Sequence, residues 1–320
     1  MGKKAVWITL ALLLIVIGAV VFAVAMMGAG WDITRLGTNK YATAEYEIDG
    51  DFEDISVITY TSDVALLPSE DGKCRVVSYE DERLRHNVTV SDGALKIEVV
   101  DTRKWYDHIG INFESPKITV YLPEREYSKL SIDESTGDVT VSKDFSFSSV
   151  DISLSTGDVS LAASSTGPVK INSSTGDITL EEVSASAVDL SVSTGSIRLG
   201  KVSATGEIKL TVSTGASLLT DVICGSLSTS GSTGGVRLER VIALGKLYVE
   251  RSTGGVELYG CDGGEIFIKT STGGVTGTLL SDKTFVTDSG TGSIDVPKDT
   301  VGARCEIRTS TGSIRISIER

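Results

Sequence analysis

The sequence predicts an all-β protein: a single parallel β-solenoid of about 19–20 residues per coil, preceded by one transmembrane α-helix. Three observations support this prediction: a tripeptide that recurs at fixed spacing, apolar residues that alternate after it, and one long apolar run near the N-terminus. A fixed repeat of this length indicates one structural unit per repeat, each stacked on its neighbours. The turn glycines of the repeats are Gly137, Gly157, Gly176, Gly195, Gly215, Gly234, Gly254, Gly273, Gly292 and Gly312.

Apolar residues follow each turn glycine at alternating positions. The position two residues on is Val or Ile in Val139, Val159, Ile178, Ile197, Val236, Val256, Val275, Ile294 and Ile314, and the position four residues on is almost always Val, Leu or Ile. A second alternating run, such as Val188, Leu190 and Val192, comes later in the repeat. Spacing of two with β-branched residues is typical of strands buried on one face. Each repeat therefore predicts two short strands, and the recurring turn favours one solenoid coil per repeat over separate hairpins.

The segment Ala5–Ala29 carries no charge and is long enough to cross a bilayer as a helix. Lys3 and Lys4 precede it, which places the N-terminus in the cytoplasm by the positive-inside rule. A cleaved signal peptide is the alternative, with Ala23-Val24-Ala25 as a possible cleavage site. The length of the apolar run favours an uncleaved anchor, which makes the protein a single-pass protein of the cell membrane with its solenoid extracytoplasmic.

These features divide the chain into five predicted parts. Residues 1–4 form a cytoplasmic N-terminus, 5–29 a transmembrane helix that contacts the lipid bilayer, and 30–40 a juxtamembrane linker. Residues 41–136 form an irregular β cap with the first coils, and 137–320 form the regular solenoid. The net charge of −13 is concentrated after the linker. An acidic surface repels phosphate backbones, so nucleic acid is excluded as the expected partner.

The order of these features is similar to that of a known bacterial group. A membrane helix is followed by irregular strands, by a strand that ends Tyr121-Leu122-Pro123, and by Ser-Thr-Gly-Asp-Val repeats. From Phe52 to the C-terminus the chain resembles the β-strand-repeat family of candidate adhesins, which includes LiaG-like membrane-anchored proteins of envelope-stress operons. The resemblance implies a cell-envelope β-solenoid and supplies no catalytic residues.

The residues that could carry chemistry form no recognisable catalytic, cofactor or metal site in the sequence. Cys74, Cys224, Cys261 and Cys305 show neither a disulfide framework nor zinc spacing. The two histidines, His86 and His108, suggest no pairing with a nucleophile; His108 belongs to an aromatic stretch, 104–108, interpreted as a cap loop or a recognition loop. Stacked coils would align Asp138, Asp158 and Asp177 in a column, which we interpret as solvated turn residues rather than a calcium site.

The predicted function is a non-enzymatic, membrane-anchored surface scaffold or binding module of the adhesin-like or envelope-stress type. Two alternatives stay open: a carbohydrate-active enzyme built on a β-helix, and a regulatory partner of neighbouring membrane proteins. The last repeat begins at Ser310 with only one strand after it. We therefore expect the C-terminal coil to be the open end of the solenoid, where a protein partner or a second copy could add a strand.

Overall fold

The computed structural model describes residues 3–33, 40–105, 115–298 and 300–319. It contains one helix, α1 (Lys3–Gly28), within which Val6–Gly28 is long and apolar enough to cross a membrane. By length and composition this helix fits a single-pass anchor or a signal sequence. The rest of the described chain is mostly β-structure and forms a parallel β-solenoid of about nine turns, as the sequence predicts.

Strands form most of the chain from Tyr41 onward. They are β1 (Tyr41–Ile48), β2 (Asp54–Thr59), β3 (Asp63–Pro68), β4 (Cys74–Asp81), β5 (Leu84–Ser91), β6 (Ala94–Asp101), β7 (Lys117–Leu122), β8 (Glu126–Thr136), β9 (Val139–Val141), β10 (Ser146–Thr156), β11 (Val159–Leu161), β12 (Ser164–Ser165) and β13 (Pro168–Thr175). They continue as β14 (Ile178–Glu181), β15 (Ser184–Ala185), β16 (Ala187–Thr194), β17 (Ile197–Gly200), β18 (Ser203–Thr214), β19 (Ser217–Thr233), β20 (Val236–Thr253), β21 (Val256–Thr272), β22 (Val275–Leu279), β23 (Lys283–Thr291), β24 (Ile294–Asp295), β25 (Ala303–Thr311) and β26 (Ile314–Ile318).

Each regular coil has three faces with one strand on each. The sequence predicts only two strands per coil. The first face follows the turn glycine, as in β17; the second is short, as in β15; the third leads back to the next Ser-Thr-Gly, as in β16. The second face is missed because its strand has only two or three residues, too few to show an alternating pattern. In the coils of β19, β20 and β21 one continuous strand runs round all three faces.

The Ser-Thr-Gly corner leaves no room for a side chain at its glycine. Every turn glycine has a φ between 123° and 152°, a range that favours glycine. A Cβ on Gly195 would collide with the carbonyl oxygen of Gly176 one coil away, and Gly215 stands in the same relation to Gly195. The threonines that precede these glycines pair in register from coil to coil, as Thr194 pairs with Thr175 and Thr214. The repeated tripeptide is therefore a requirement of stacking at this corner.

The corner between the first and second faces is occupied by charged residues with left-handed backbones. Glu182, Lys201, Asp221 and Arg240 have φ between 52° and 59°, and their signs alternate from coil to coil. Lys201 Nζ lies 2.8 Å from Glu182 Oε1, and Arg240 Nε lies 2.5 Å from Asp221 Oδ1. Exposed ion pairs of this kind contribute little to stability, because solvent screens their charges. The alternation of charge favours the observed stacking of the coils, because moving a coil by one position along the stack would place like charges next to each other.

The core is a single stack of Val, Ile and Leu enclosed by the three faces. The positions two and four after the turn glycines are buried, as for Ile197 and Leu199, so the predicted register is confirmed. Ile294, at 44% exposure, is an exception because its coil ends the stack. Ser217 replaces the expected Val or Ile and is buried, and its Oγ accepts a hydrogen bond of 2.5 Å from Arg251 Nη2.

At the N-terminal end, the order of the coils in space differs from their order in the chain. The coil formed by β2 and β3 lies between the coil of β6 and β7 and the coil of β8 and β9. β5 then pairs antiparallel with β6, β4 pairs antiparallel with β7, and β1 pairs antiparallel with β4. The first coil is therefore enclosed on both sides, and antiparallel strands cover the outermost one.

The C-terminal end shows the same interchange, and the expectation that the last repeat is the open end is wrong. β25 pairs with β21 on one side and β23 on the other, and β26 lies between β22 and β24. The last repeat is thus the penultimate coil: most of β25 and the first two residues of β26 pair on both sides, while Ile316–Ile318 pair with β22 alone. The outermost coil is formed by β23 and β24, so the free edge at this end of the described chain belongs mainly to these two strands.

Candidate ligand-binding groove

The third face carries a groove that crosses several coils. Its first part has a volume of about 410 Å³ and lies over the coils of β8, β10, β13, β16 and β18. The side chains that line it include Lys129, Asp151, Lys170, Asp189, Glu207 and Lys209. Because strands alternate their side chains, these residues point outward while Val150, Val169 and Val188 beneath them face the core.

The second part of the groove begins where the first ends. It has a volume of about 650 Å³ and is lined by Gly206, Glu207, Gly225, Ser226, Leu227, Ser228, Lys246 and Tyr248. Glu207 lines both parts, so they adjoin along the solenoid axis. Gly206 and Gly225 lie at the corner between the second and third faces, where the ladder register shifts between Ala204 and Glu207 and again between Cys224 and Leu227. Without side chains at these two glycines, the corner leaves the groove open on that side.

An aromatic pair closes the far end of the groove. Tyr248 and Phe267 occupy neighbouring coils in register, and their rings stack with centroids 5.2 Å apart and planes 3° apart. Lys246 Nζ stands 4.8 Å from the Tyr248 centroid and 5.8 Å from the Phe267 centroid, so the amine lies beside the two stacked rings. Tyr248 donates a 2.6 Å hydrogen bond from its hydroxyl to Glu250, which raises the pKa of Tyr248 to about 12. The ring is held in place at its edge and on one face.

The two sides of this aromatic pair differ. In the next coil beyond Phe267 the same position is Glu306, which is buried and forms ion pairs of 2.6 Å with both Arg304 and Arg308. In the coil before Tyr248 it is Ser228, a small residue that itself lines the groove. One face of the Tyr248 ring is therefore covered by Phe267, while the other faces the groove above Ser228.

Residues 52–320 match the Toastrack DUF4097 family. The chain belongs to this family. The fold is also similar to that of a solved structure of low sequence identity. This structure is a "putative adhesin" from Parabacteroides merdae, with 14% identity, a TM-score of 0.51, and coverage of 88% of this chain and 98% of that one.

Two further solved structures are similar over the same extent. A "putative adhesin" from Bacteroides fragilis has 16% identity, a TM-score of 0.45, and coverage of 88% of this chain and 99% of that one. A "putative lipid binding protein" from Parabacteroides distasonis has 16% identity, a TM-score of 0.43, and coverage of 88% and 98%. No curated protein matches the chain. At 14% identity the likeness to the Parabacteroides merdae structure concerns the fold alone.

The Toastrack solenoid buries all four cysteines as free thiols. Cys261 lies at 0% exposure in the column that otherwise holds valine, beside Leu238, whose carbonyl oxygen is 3.3 Å from its Sγ. Burial raises the pKa of Cys74 to about 12 and that of Cys224 to about 11. None of the four lines the groove described above.

His86 does have polar partners, which the sequence does not indicate. Its Nδ1 lies 2.8 Å from Glu80 Oε2 and its Nε2 lies 2.9 Å from Thr59 Oγ1. Glu80 also accepts hydrogen bonds from the Ser78 hydroxyl and the His86 amide. These contacts join the antiparallel strands β4 and β5 to β2. The arrangement resembles a nucleophile–base–acid relay, but Thr59, Glu80 and His86 are at most 4% exposed, so a substrate cannot reach the hydroxyl.

A second carboxylate, Glu134, lies buried one coil further on. Its Oε1 accepts a 3.1 Å hydrogen bond from the Ser62 amide, while its Oε2 has no partner among the described residues. Burial, opposed in part by the Ser62 bond, raises the pKa of Glu134 to about 8, with Asp63 and Asp138 adding to the rise. Glu134 is therefore a neutral acid at pH 7 and has no surface role in this structure.

The aspartates that follow the turn glycines form a ladder of hydrogen bonds. The Asp158 amide donates to Asp138 Oδ1 at 2.8 Å, and the Asp177 amide donates to Asp158 Oδ1 at 2.7 Å. Asp177 Oδ1 accepts from the Ser196 amide, and its Oδ2 accepts from Arg198. The column predicted from the sequence exists, and its carboxylates satisfy the backbone of the next coil. Among the described residues no His, Cys, Asp and Glu side chains cluster as metal ligands would.

The aromatic stretch 104–108 lies mostly outside the described residues. Of its members the structure describes Lys104 and Trp105, and Trp105 is 77% exposed. Tyr106, Asp107 and His108 lie outside the described part of the chain. The groove residues themselves were missed by sequence reasoning, because Tyr248 and Phe267 are separated in the chain and meet only when coils stack.

Proposed function

We propose that this protein is a non-enzymatic, membrane-anchored binding module whose solenoid stands outside the cytoplasmic membrane and binds its ligand along the groove of the third face. The single observation that carries this proposal is the continuity of the groove: its two parts adjoin at Glu207 and cross successive coils. A surface of this length suits an extended ligand better than a small metabolite, which needs a closed pocket.

The anchor and its orientation rest on the N-terminal segment. The span Val6–Gly28 is long enough for the hydrocarbon core, and Lys3 and Lys4 at its start favour the cytoplasmic side. With an uncleaved helix, the solenoid that follows is tethered at the outer surface. The adhesin names of the solved relatives belong to those proteins, and the binding role proposed here rests on the groove.

The charges of the groove support binding rather than hydrolysis. A glycoside hydrolase needs two carboxyl groups that face one another across the substrate. Along the outward column of the third face, Asp151, Lys170, Asp189 and Lys209 alternate in sign from coil to coil. Asp189 Oδ2 lies 3.6 Å from Lys209 Nζ. Asp189 therefore has a lysine in both adjacent coils, and Asp151 has Lys170 on one side and Ser131 on the other, so neither stands beside a second carboxylate of this column.

The test uses cysteine accessibility, since the four natural thiols are buried. Three variants of the full chain each carry one added thiol. Ser160→Cys places it on the first face, Ser203→Cys on the second and Ser228→Cys on the third. A maleimide that cannot cross the membrane is then applied to cells that express each variant. One sample is intact, and from the other the envelope material outside the membrane has been removed. We expect all three positions to react after stripping, and the third-face position alone to be protected in intact cells.

Two results would contradict the proposal. If none of the three thiols reacts until the membrane is lysed, the solenoid is not extracytoplasmic. If the three faces react equally in intact and stripped cells, the third face does not hold a ligand there. The Ser160→Cys and Ser203→Cys variants serve as matched controls, because they have the same substitution and lie outside the groove.

A further inference from the structure

The direction of the groove limits the shape of its ligand. It runs across the strands, along the solenoid axis, so a ligand in it passes one coil about every 4.8 Å, the ordinary distance between paired strands. Polar side chains recur at each of these steps, as Asp151, Lys170 and Asp189 do in successive coils. A polymer with a polar group on every unit and a similar repeat would meet the same contacts at each coil.

The charge of the groove limits the charge of its ligand. Although the whole chain has a net charge of −13, the groove is lined by four lysines and three carboxylates, namely Lys129, Lys170, Lys209, Lys246, Asp151, Asp189 and Glu207. A polyanion would meet the three carboxylates, and a polycation would meet the four lysines. A neutral ligand with both hydrogen-bond donors and acceptors can satisfy both sets.

The backbone of the third face leaves little for a peptide strand. The residues over which the groove lies pair with coils on both sides, as Val188 pairs with Val169 and Ile208. Adding a peptide as a further strand needs an unpaired sheet edge, and the groove lies across the middle of the stack. The ligand must therefore bind through side chains, which favours a molecule rich in hydroxyl groups.

The open ring face of Tyr248 is the strongest recognition feature. It lies above Ser228, with Phe267 behind it and its hydroxyl held by Glu250. A flat aromatic face with partial negative charge attracts polarised C–H groups, and the face of a pyranose ring presents a patch of such groups. Ser226, Ser228, Glu207 and Lys246 surround the space with groups able to bond to hydroxyls.

We propose that the groove binds an extended, unbranched neutral glycan, with one pyranose ring stacked on the open face of Tyr248 and further rings along the lysine–aspartate column. This inference rests on the proposed function, because it names the ligand class for the same groove. It predicts a site that extends over several sugar units, so longer oligomers bind more tightly than disaccharides. It also predicts weak dependence on salt, because the ligand has no net charge.

The experiment uses the full chain in lipid nanodiscs and isothermal titration calorimetry with two neutral β-1,4-linked hexamers, of glucose and of N-acetylglucosamine. We expect at least one hexamer to bind, with affinity little changed between low and physiological salt. Tyr248→Ala should weaken binding by roughly tenfold, the scale of a lost aromatic contact. Ser228→Phe should abolish binding, because a ring there would extend the stack and fill the space in front of Tyr248.

Three controls make the result decisive. Tyr259→Ala removes an exposed tyrosine from the first face and should leave the affinity unchanged. Tyr248→Phe keeps the ring and should retain most of the affinity. Thermal unfolding of each variant reports whether the solenoid is intact; if Tyr248→Ala unfolds, Ser228→Phe decides, because it removes no packing.

The outcomes separate this inference from the proposed function. If neither hexamer binds, the glycan inference is wrong, whereas third-face protection in intact cells would leave the proposed function standing. If a hexamer binds equally to the wild type and to Ser228→Phe, the glycan site is not this groove. If the protein instead binds a polyanion such as heparin, and this binding is lost at physiological salt, the inference is also wrong.

Discussion

Gly312, the turn glycine of the last repeat, packs directly against Gly273, although Gly292 lies between them in the sequence. A Cβ on Gly312 would collide with the Gly273 carbonyl oxygen, and a Cβ on Gly292 would collide with that of Gly312. The last coil is therefore clamped between two earlier ones. The same interchange occurs at the N-terminal end, where β2 lies between β6 and β8. At both ends the coil nearest the chain terminus is thus followed in space by a coil from further inside the sequence.

Substituting Gly312 tests this clamp. We expect Gly312→Ala to lower the free energy of unfolding by more than about 2 kcal/mol, because an alanine at its φ of 150° is strained and its Cβ has no room. The matched control is Gly235→Ala, where a Cβ would come no closer than 3.5 Å to its nearest neighbour. Chemical denaturation measures both. Equal stabilities for the two variants would show that the last coil is not held between its neighbours.

Truncation gives a second test of the interchanged order. β23 pairs only with β25, and β24 only with β26, in the described chain. Deleting residues 301–320 should therefore release 283–295 as well, whereas in an ordinary solenoid the penultimate coil would remain in place. Limited proteolysis followed by mass spectrometry should find new cleavage sites within 283–295. Continued protection of this segment would mean that β23 can pair with β21 instead, contrary to the prediction.

Glu134 should make stability depend on pH. Its pKa is about 8 in the folded protein and 4.5 in the unfolded reference. The neutral acid fits the core, so this carboxyl group imposes no ionisation cost below pH 4.5, and the cost grows as the pH rises to about 8. Glu134→Gln should remove this loss of stability at high pH, which amounts to as much as a few kcal/mol at about 1.4 kcal/mol per pKa unit. The free energy of unfolding is measured at pH 5 and at pH 9, with the substitution of an exposed glutamate, Glu126→Gln, as the control. Parallel pH profiles of wild type and Glu134→Gln would contradict the assignment.

Arg251 is a buried cation, and its coupling to the buried hydroxyl of Ser217 can be measured. It is 1% exposed, burial lowers its pKa to about 10, and it donates hydrogen bonds to the Val212 carbonyl, Ser217 Oγ and Thr229 Oγ1. Ser217→Val alone should destabilise by about 1–3 kcal/mol, because it leaves a buried donor without a partner. The pair Ser217→Val with Arg251→Met should recover that loss, since apolar replacements of buried polar sets are often neutral or stabilising. A double-mutant cycle by thermal unfolding decides. Additive losses would show that the two side chains are uncoupled.

The four natural thiols should not react with maleimide in the folded protein. Burial raises the pKa of Cys74 and Cys305 to about 12 each, and the thiolate is the reactive form. We expect no labelling by maleimide at pH 8 until denaturant is added, and then labelling of four thiols. Ser203→Cys should react at once and serves as the positive control, because Ser203 is exposed. Rapid labelling of the wild type would mean that a coil opens under native conditions.

The sequence by itself determined the coil. Glycine at the corner, with Val or Ile two residues later as at Gly195 and Ile197, allows one conformation and one inward face, so period and register follow from local geometry. It could not determine which coil stacks on which at the ends. All Ser-Thr-Gly corners are alike, so Gly312 would fit equally well on Gly292 or on Gly273 as far as the repeat is concerned.

Only the tertiary structure decided the groove and the buried polar contacts. Outward residues carry no periodic constraint, so nothing in the chain marks Tyr248 and Phe267 as neighbours until their coils lie in register. His86 meets Glu80 and Thr59 only because β5 and β4 fold over β2, and Arg251 meets Ser217 only because it reaches into an adjacent coil. Local sequence fixes backbone geometry within a coil, whereas contacts between coils depend on stacking order, and in this protein those contacts create the candidate site.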